Sequence, residues 1–332
     1  MYIKLKNRPS VLSYYAVAGR KEKEGPIGHL IEEFSDDDRF YKDTWEKAES
    51  EMQRLAFSGA LSKIEGKISP ECVFAGDLMN QCTSSNYGLA GFEIPYIGLY
   101  GACSTCVESI ALASLTVSAG YAKAAGAVTS SHFCSAERQF RFPLEYGGQR
   151  TPTSQHTVTA SGAFVISEKV CAAQISEIML GTVRDGGIKD INNMGAAMAP
   201  AAIDTLCGYF EKSGTRPSDF DLIVTGDLGY EGYSIVKELM AKRGIKLGDN
   251  YNDCGLIVYD RENQDMHAGG SGCGCSALVL ATKILPEIES GKLSEVLFIG
   301  TGALMSPSSL QQGLTIPAVA HLVRFSNYKG VN

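Results

Sequence analysis

The sequence has 332 residues, enough for one large core or for two fused halves of ordinary domain size. Charged residues make up 20% of the chain and hydrophobic residues 44%, a balance that excludes an intrinsically disordered protein. The formal net charge of -7 argues against a general nucleic-acid surface, because such a surface needs clustered Lys and Arg.

The sequence also bears on the compartment. No stretch approaches about 18 uninterrupted apolar residues, the length that predicts a membrane span. Residues 1–6 lack the apolar core of a signal peptide. The 10 cysteines are too sparse for a disulfide scaffold and fit a reducing environment. We therefore expect no signal peptide and no membrane span, with synthesis in the cytoplasm.

The first half alternates helices with short apolar strands. Residues 26–40 indicate a surface excursion, and Asp43 or Thr44 is expected to cap a helix from Trp45 to about Ile64. Residues 133–158 form a long irregular segment rich in Arg, Tyr, Gly, Gln and Thr. Strands are predicted over residues 72–75, 95–100, 124–130 and 161–167.

The pattern recurs after about residue 170. It predicts helices over residues 199–212, 233–243 and 276–288, and strands over residues 220–227 and 295–302. We therefore divide the chain into two similar halves, residues 1–170 and residues 171–332. The expected fold class is α/β, built from parallel βαβ units with helices on both sheet faces.

Cys103 stands at the junction between a short strand, a sharp turn and a helix of small residues that ends at Gly120. At such a junction, unpaired backbone N–H groups and the helix dipole favour a thiolate or a bound anion. A small buried core residue is the alternative, since free cysteines are usually buried. The loops at Cys103, His132, Gly226 and Gly270 all follow predicted strands, where ligands bind in α/β sheets. That convergence favours a functional site at Cys103 over a buried core cysteine.

The remaining signals are weaker. His132 is interpreted as a site residue, His156 is left open between site and surface, and Asp227 is interpreted as an exposed loop aspartate. Cys103-x-x-Cys106 is compatible with a redox pair. Cys273-x-Cys275 supplies too few ligands for zinc, and no metal site is predicted. The glycine-rich loop over residues 267–275 lacks the lysine of a P-loop.

Five longer runs carry a resemblance to known families: residues 77–86, 98–106, 140–156, 265–275 and 315–321. On these runs the chain resembles the condensing-enzyme branch of the thiolase superfamily, which includes β-ketoacyl synthase III, and more closely the stage V sporulation protein AD family. The resemblance implies a layered α-β-α-β-α fold.

The chain departs from the condensing enzymes at two positions. That branch pairs its cysteine nucleophile with a histidine and an asparagine, which stabilise the developing oxyanion. Here Gly226 stands in place of the histidine and Ser271 in place of the asparagine. Loss of one oxyanion donor typically costs about 2.7–4 kcal/mol of barrier height. We therefore expect no catalysis, with Cys103 as a vestigial nucleophile.

The resemblance implies a binding role in sporulation. The expected ligand is dipicolinic acid (pyridine-2,6-dicarboxylate) or its calcium complex, with no other cofactor. The chain would be the soluble component of a membrane system that moves this ligand into the developing spore. It would lie peripherally at the forespore inner membrane, with membrane-embedded proteins of the same operon as partners, and would form a homodimer.

A planar aromatic dianion needs N–H donors, cations and a flat apolar wall. The candidate ligand-binding residues are Cys103, His132, Tyr146, Arg150, His156 and Ser271. The alternative is an acyl-transferring or condensing enzyme that uses Cys103 as its nucleophile.

Overall fold

The computed structural model describes residues 1–64, 68–140 and 150–328. Its strands are β1 (Tyr2–Lys4), β2 (Ser10–Gly19), β3 (Glu33–Ser35), β4 (Val73–Gly76), β5 (Tyr96–Gly98), β6 (Ala124–Ser131), β7 (His156–Thr157), β8 (Ala160–Ser167), β9 (Ala173–Met179), β10 (Arg184–Asp185), β11 (Leu222–Thr225), β12 (Tyr251–Asp253), β13 (Gly270–Ser271), β14 (Glu295–Ala303) and β15 (Pro317–Asn327).

The α-helices are α1 (Arg20–Lys23), α2 (Trp45–Ser62), α3 (Thr83–Leu89), α4 (Thr105–Ser118), α5 (Phe133–Phe140), α6 (Met194–Ser213), α7 (Gly229–Lys242), α8 (Cys254–Val258), α9 (Cys273–Val279), α10 (Leu285–Glu289) and α11 (Pro307–Gln311). A π-helical turn, Leu280–Ile284, joins α9 to α10. No helix within the described ranges combines the length and the apolar character needed to cross a membrane.

The same strand order occurs twice. One half of the sheet runs β5-β4-β6-β8-β2 and the other runs β12-β11-β14-β15-β9, joined by the single pair Ser10 and Gln174. In each half, in the strand order just given, the first two pairs of neighbouring strands are parallel and the last two pairs are antiparallel. The division at residue 170 stays a prediction.

The expectation of parallel βαβ units is correct only for the first three strands of each half. The connection from β6 to β8 leaves the sheet and re-enters it at the same end of the strands, because Ser131 at the end of β6 pairs with Ala160 at the start of β8. A connection that stays at one end of the strands produces an antiparallel pair, whereas a parallel pair needs a crossover to the other end.

Helices α4 and α9 lie between the two halves of the sheet. A Cβ on Gly300 of β14 would lie 2.8 Å from Val107 of α4, and one on Gly162 of β8 would lie 2.7 Å from Ala277 of α9. Helix α2 covers the outer face of one half, and α6 and α7 cover the outer face of the other. This arrangement is the expected α-β-α-β-α order.

Several element boundaries differ from the prediction. Thr44 caps α2, since its side chain accepts a hydrogen bond from the Lys47 N–H. Helix α4 begins at Thr105, because Ala102–Ser104 forms a separate 3-10 turn ahead of it. The segment expected to be irregular contains α5, and His156–Thr157 pairs in parallel with Gly270–Ser271.

Candidate functional site

The turn that carries Cys103 packs closely between the two halves of the sheet because glycines on the neighbouring strands leave room for its backbone. A Cβ on Gly302 of β14 would lie 2.4 Å from the Gly101 carbonyl oxygen, and one on Gly76 of β4 would lie 2.1 Å from the Leu99 oxygen. Ala102 takes a positive φ of 52°, the left-handed conformation that the sharp turn requires. Cys103 is 6% exposed at the point where the two halves meet.

Three groups from the second half of the chain surround the Cys103 thiol. The Asp227 carboxyl group, the Ser271 hydroxyl and the Gly272 N–H lie near the sulfur, and each acts on the pKa of the thiol. The Ser271 hydroxyl also donates to Asp227 at 3.3 Å. Gly226 contributes no side chain at this point, and the carboxyl group of the next residue, Asp227, acts on the pKa of the thiol.

This environment keeps Cys103 protonated. Burial, together with the Asp227 carboxylate, raises the pKa of the Cys103 thiol well above its usual range, and the donors at Ser271 and Gly272 only partly oppose this. The expectation that the helix N-terminus would favour a thiolate is therefore wrong for this chain. The helix dipole is outweighed because the thiol is buried beside a carboxylate.

The interpretation of Asp227 as an exposed loop residue is also wrong. Asp227 is fully buried. Its Oδ2 accepts from the Gly272 N–H at 2.8 Å, and its Oδ1 accepts from the Thr301 hydroxyl at 2.8 Å. Burial raises the pKa of Asp227, while these donors and Cys103 act in the opposite direction. Nearby Asp253 is buried too, and burial raises its pKa to about 7.

A cavity of about 270 Å³ opens against Cys103 and is called the Cys103 cavity below. Most of its wall is apolar, and polar groups are few. Its described lining consists of Leu78, Tyr100, Ala102, Cys103, Ala136, Glu137, Phe140, Thr157, Met194, Ser271, Ala303, Leu304, Met305 and Ser306. Within that described lining no residue is basic, and Glu137 is the single carboxylate.

His132 lies outside the Cys103 cavity. It is fully buried, its Nε2 contacts the Asp38 carbonyl oxygen at 2.5 Å, and its Nδ1 accepts from the Cys134 N–H at 3.1 Å. Burial lowers the pKa of His132. The imidazole holds the loop before α2 against the start of α5.

His156 and Arg150 also lie outside the Cys103 cavity. The His156 ring stacks on Phe133 at a centroid distance of 4.0 Å, and Arg150 donates to the Asp265 carbonyl oxygen at 2.5 Å. Tyr146 falls outside the described residues. Of the predicted binding residues, the structure thus brings Cys103 and Ser271 together, and ligand binding by any of them stays a prediction.

The cysteine pairs show no cross-link. Cys103, Cys106, Cys273 and Cys275 are all buried free thiols. Cys273 donates to the Ser130 carbonyl oxygen at 2.9 Å. Within residues 1–64, 68–140 and 150–328, no group of three or more His, Cys, Asp or Glu side chains is arranged to hold a metal ion.

A repeat in the sequence marks the residue that sequence analysis missed. Gly76-Asp77-Leu78 begins at the last residue of β4, and Gly226-Asp227-Leu228 follows β11, the equivalent strand of the other half. Both aspartates are buried and accept hydrogen bonds from backbone N–H groups, Asp77 from Met79 and Ser85, and Asp227 from Gly272. A search for short identical runs in the two halves would have identified Asp227 as a structural counterpart of Asp77.

The fold matches solved structures of thiolase-like enzymes. The 3-oxoacyl-[acyl-carrier-protein] synthase III of Aquifex aeolicus VF5 gives a TM-score of 0.58 at 11% identity, over 96% of this chain and 99% of that chain. Human mitochondrial 3-ketoacyl-CoA thiolase gives 0.59 at 11% identity, over 98% of this chain and 100% of that chain. At these identities the likeness establishes the thiolase-like fold.

The sequence itself matches a sporulation family. The family described as stage V sporulation protein AD matches residues 1–326. The stage V sporulation protein AD of Bacillus subtilis (strain 168) is 44% identical over 316 residues, which cover 95% of this chain and 93% of that protein. The resemblance inferred from the sequence is confirmed, and this chain belongs to the stage V sporulation protein AD family.

Proposed function

We propose that this protein binds dipicolinic acid, free or as its calcium complex, in the Cys103 cavity and does not catalyse acyl condensation. The observation that carries the proposal is the environment of the Cys103 thiol. Asp227 and Ser271 lie near the sulfur. The resemblance to condensing enzymes implies that Gly226 and Ser271 replace the histidine and the asparagine of that branch.

The electrostatics of Cys103 oppose nucleophilic catalysis. A nucleophilic cysteine needs a lowered pKa or an adjacent base that becomes cationic on taking the proton. Here the pKa of the thiol is raised well above its usual range by burial and by Asp227. A carboxylate at this point would also repel a developing oxyanion, whereas catalysis requires donors aimed at it.

The size and lining of the Cys103 cavity suit a small planar ligand. Phe140, Leu78 and Leu304 supply apolar wall, and the hydroxyl groups of Thr157 and Ser306 are polar groups at its surface. The charge of a dicarboxylate must be balanced, because the described lining carries no basic side chain. Calcium bound to the ligand would do this.

The test is calorimetric titration with dipicolinate, with and without calcium, beside its 3,4-dicarboxylate isomer. We expect saturable binding that the isomer does not reproduce. Leu304→Trp fills the cavity and should weaken binding at least ten-fold, whereas Leu314→Trp, on an exposed residue outside the lining, should not. Equal affinity for the two isomers, or no effect of Leu304→Trp, would refute the site.

An acyl-transferring enzyme remains the alternative function, and it is favoured by one observation. Cys103 lines the cavity and is thus reachable by a small electrophile. Incubation with a labelled acyl-CoA and mass analysis of Cys103 separates the two functions. A stable acyl adduct on Cys103, absent from a Cys103→Ser variant, would support the enzyme.

The same proposal assigns the protein a place beside membrane-embedded proteins of its sporulation operon, at the forespore inner membrane, and a homodimeric state. The dimer is supported by β5, an edge strand whose three residues are all exposed and which pairs only with β4 among the described strands. Tyr96 and Ile97 present apolar surface beside unpaired backbone groups, a combination that proteins normally cover.

A further inference from the structure

The loop between β14 and β15 forms one wall of the Cys103 cavity. Ala303 at the end of β14 pairs with Ala318 in β15, so residues 304–317 connect the two strands as a hairpin loop. The loop residues that line the cavity are Leu304, Met305 and Ser306. A movement of this loop would therefore change the access of a ligand to Cys103.

Residues 306–314 of this loop form a compact unit, called the cap segment below, which contains α11. Ser306 and Ser309 form a capping box, in which each hydroxyl accepts from the backbone N–H of the other residue at 3.1 Å. At the other end the Leu314 N–H donates to the Ser309 carbonyl oxygen at 3.1 Å, across Gly313 with a φ of 69°. Glycine takes this left-handed conformation without steric cost. The cap segment therefore holds its own shape.

Among the described residues, the cap segment has no hydrogen bond to the rest of the chain. Each hydrogen bond of its backbone and side chains ends on another residue of the segment. None of the residues of α11 is buried. Leu310 packs, partly buried, against the core cluster that includes residues of α6, β14 and β15, whereas Leu314 is 52% exposed. An apolar contact of Leu310 therefore holds the segment against the body of the protein.

The two ends of the loop, by contrast, are fixed by backbone hydrogen bonds. The Leu304 N–H donates to the Pro317 carbonyl oxygen at 2.8 Å, and the Ile316 N–H donates to the Ile188 carbonyl oxygen at 2.7 Å. A unit that holds its own shape thus lies between two fixed points, with one connecting residue on each side. Hinges in proteins are a few loop residues of this kind, which absorb the backbone rotation.

We propose that the cap segment is a lid, which swings outward to admit a ligand to the Cys103 cavity and closes over it afterwards. Met305 and Ser306 line the cavity at the hinge, so an outward swing widens the cavity on that side. Opening breaks the apolar contact of Leu310 and no hydrogen bond to the described body. Closure excludes water and strengthens polar contacts to the ligand. The role of the lid in ligand uptake rests on the proposed function of the cavity, whereas the movement can be measured without it.

Labelling of Cys103 with thiol reagents of two sizes measures the opening. Iodoacetamide is small compared with the cavity of about 270 Å³, whereas fluorescein maleimide is too large for it and needs an open lid. Leu310→Ala removes most of the contact that keeps the lid closed, so fluorescein maleimide should label Cys103 about three- to ten-fold faster. Labelling by iodoacetamide should change less than about two-fold. Mass analysis of the peptide that contains Cys103 gives both rates.

Leu314→Ala is the matched control, because it shortens an exposed leucine of the same segment and should change neither rate. Cys254 is fully buried and does not line the cavity, so its labelling reports global unfolding and should stay constant. If Leu310→Ala does not fold, Leu310→Val, which loses less of the contact, should still accelerate labelling about two-fold. An unchanged rate with fluorescein maleimide in the folded Leu310 variant, or an equal rise in Leu314→Ala, overturns the lid.

Dipicolinate connects the lid to the proposed ligand. Stopped-flow measurement should show that Leu310→Ala releases dipicolinate about three- to ten-fold faster than the wild type, and Leu314→Ala should release it at the wild-type rate. Binding with an unchanged release rate in Leu310→Ala would refute the role of the lid in ligand exchange. Absence of dipicolinate binding would refute the proposed function alone, because the labelling rates of Cys103 still decide whether the lid opens.

Discussion

Replacement of Glu49 by glutamine is expected to change how stability depends on pH. Glu49 is fully buried on α2, and its carboxylate accepts from the Ser130 hydroxyl at 2.9 Å and from the Ser135 hydroxyl at 2.7 Å. Burial, with the nearby Asp77 carboxylate, raises the pKa of Glu49 from 4.5 to about 8. The folded protein therefore retains a proton that the unfolded chain releases.

The raised pKa of Glu49 makes folding less favourable as the pH rises. An acid whose folded-state pKa lies above its unfolded value opposes folding increasingly as the pH rises between the two values, and by a constant amount above them. The shift of Glu49 corresponds to about 5 kcal/mol in total, of which about 3–4 kcal/mol accrues between pH 5 and pH 8. The glutamine side chain in Glu49→Gln is uncharged at every pH, so the pH-dependent cost of folding that Glu49 imposes is absent from this variant.

The assay is urea unfolding of the wild type and of Glu49→Gln at pH 5, 6, 7 and 8. The free energy of unfolding of the variant, relative to that of the wild type, should rise by about 3–4 kcal/mol from pH 5 to pH 8. Glu262→Gln, at an exposed position, is the control and should follow the wild type. A constant difference between Glu49→Gln and wild type across this range would refute the assignment of the retained proton to Glu49.

Three further changes test the site and the assembly. Asp227→Asn removes the charge beside Cys103, so alkylation of Cys103 by iodoacetamide at pH 8 should accelerate several-fold; an unchanged rate would leave burial as the whole cause of the raised thiol pKa. Gly302→Ala places a methyl group 2.4 Å from the Gly101 oxygen and should lower the free energy of unfolding by about 1–3 kcal/mol, while Gly91→Ala, which meets nothing within 4 Å, should not. Ile97→Lys on β5 should shift a dimer to monomer in sedimentation analysis, and a monomeric wild type would contradict the proposed dimer.

The position of Cys103 was predictable from the sequence because the signal is local. A strand, a turn and a helix of small residues follow one another within residues 95–120, and each can be recognised from neighbouring residues. The layered fold was predictable from longer runs that resemble a known family. Both predictions rest on runs of neighbouring residues, and neither requires knowing which distant segments meet in the fold.

The partners of Cys103 were not predictable in the same way, because they come from distant parts of the chain. Asp227 is held by Gly272, 45 residues away, and by Thr301, 74 residues away. His132 was expected beside Cys103, yet its imidazole contacts the Asp38 carbonyl oxygen 94 residues away. A sequence read locally cannot show which of several polar loops at one sheet edge contact one another.

Two buried acid networks flank the Cys103 cavity. Glu49 holds Ser135 of α5, whose next two residues line the cavity, and Asp227 holds Ser271 against Cys103. Burial raises the pKa of both acids, so both hold a proton more readily than an ordinary carboxyl group does.

A bound dicarboxylate should strengthen that preference, because a second negative charge nearby disfavours ionisation further. Dipicolinate affinity should therefore fall as the pH rises from 6 to 9, and fall less in Glu49→Gln, since one of the two protons is then permanent. Calorimetry in buffers of different ionisation enthalpy would report the proton taken up on binding. An affinity that is constant over this range in the wild type would mean that neither carboxyl senses the ligand, and would place the dicarboxylate away from Cys103.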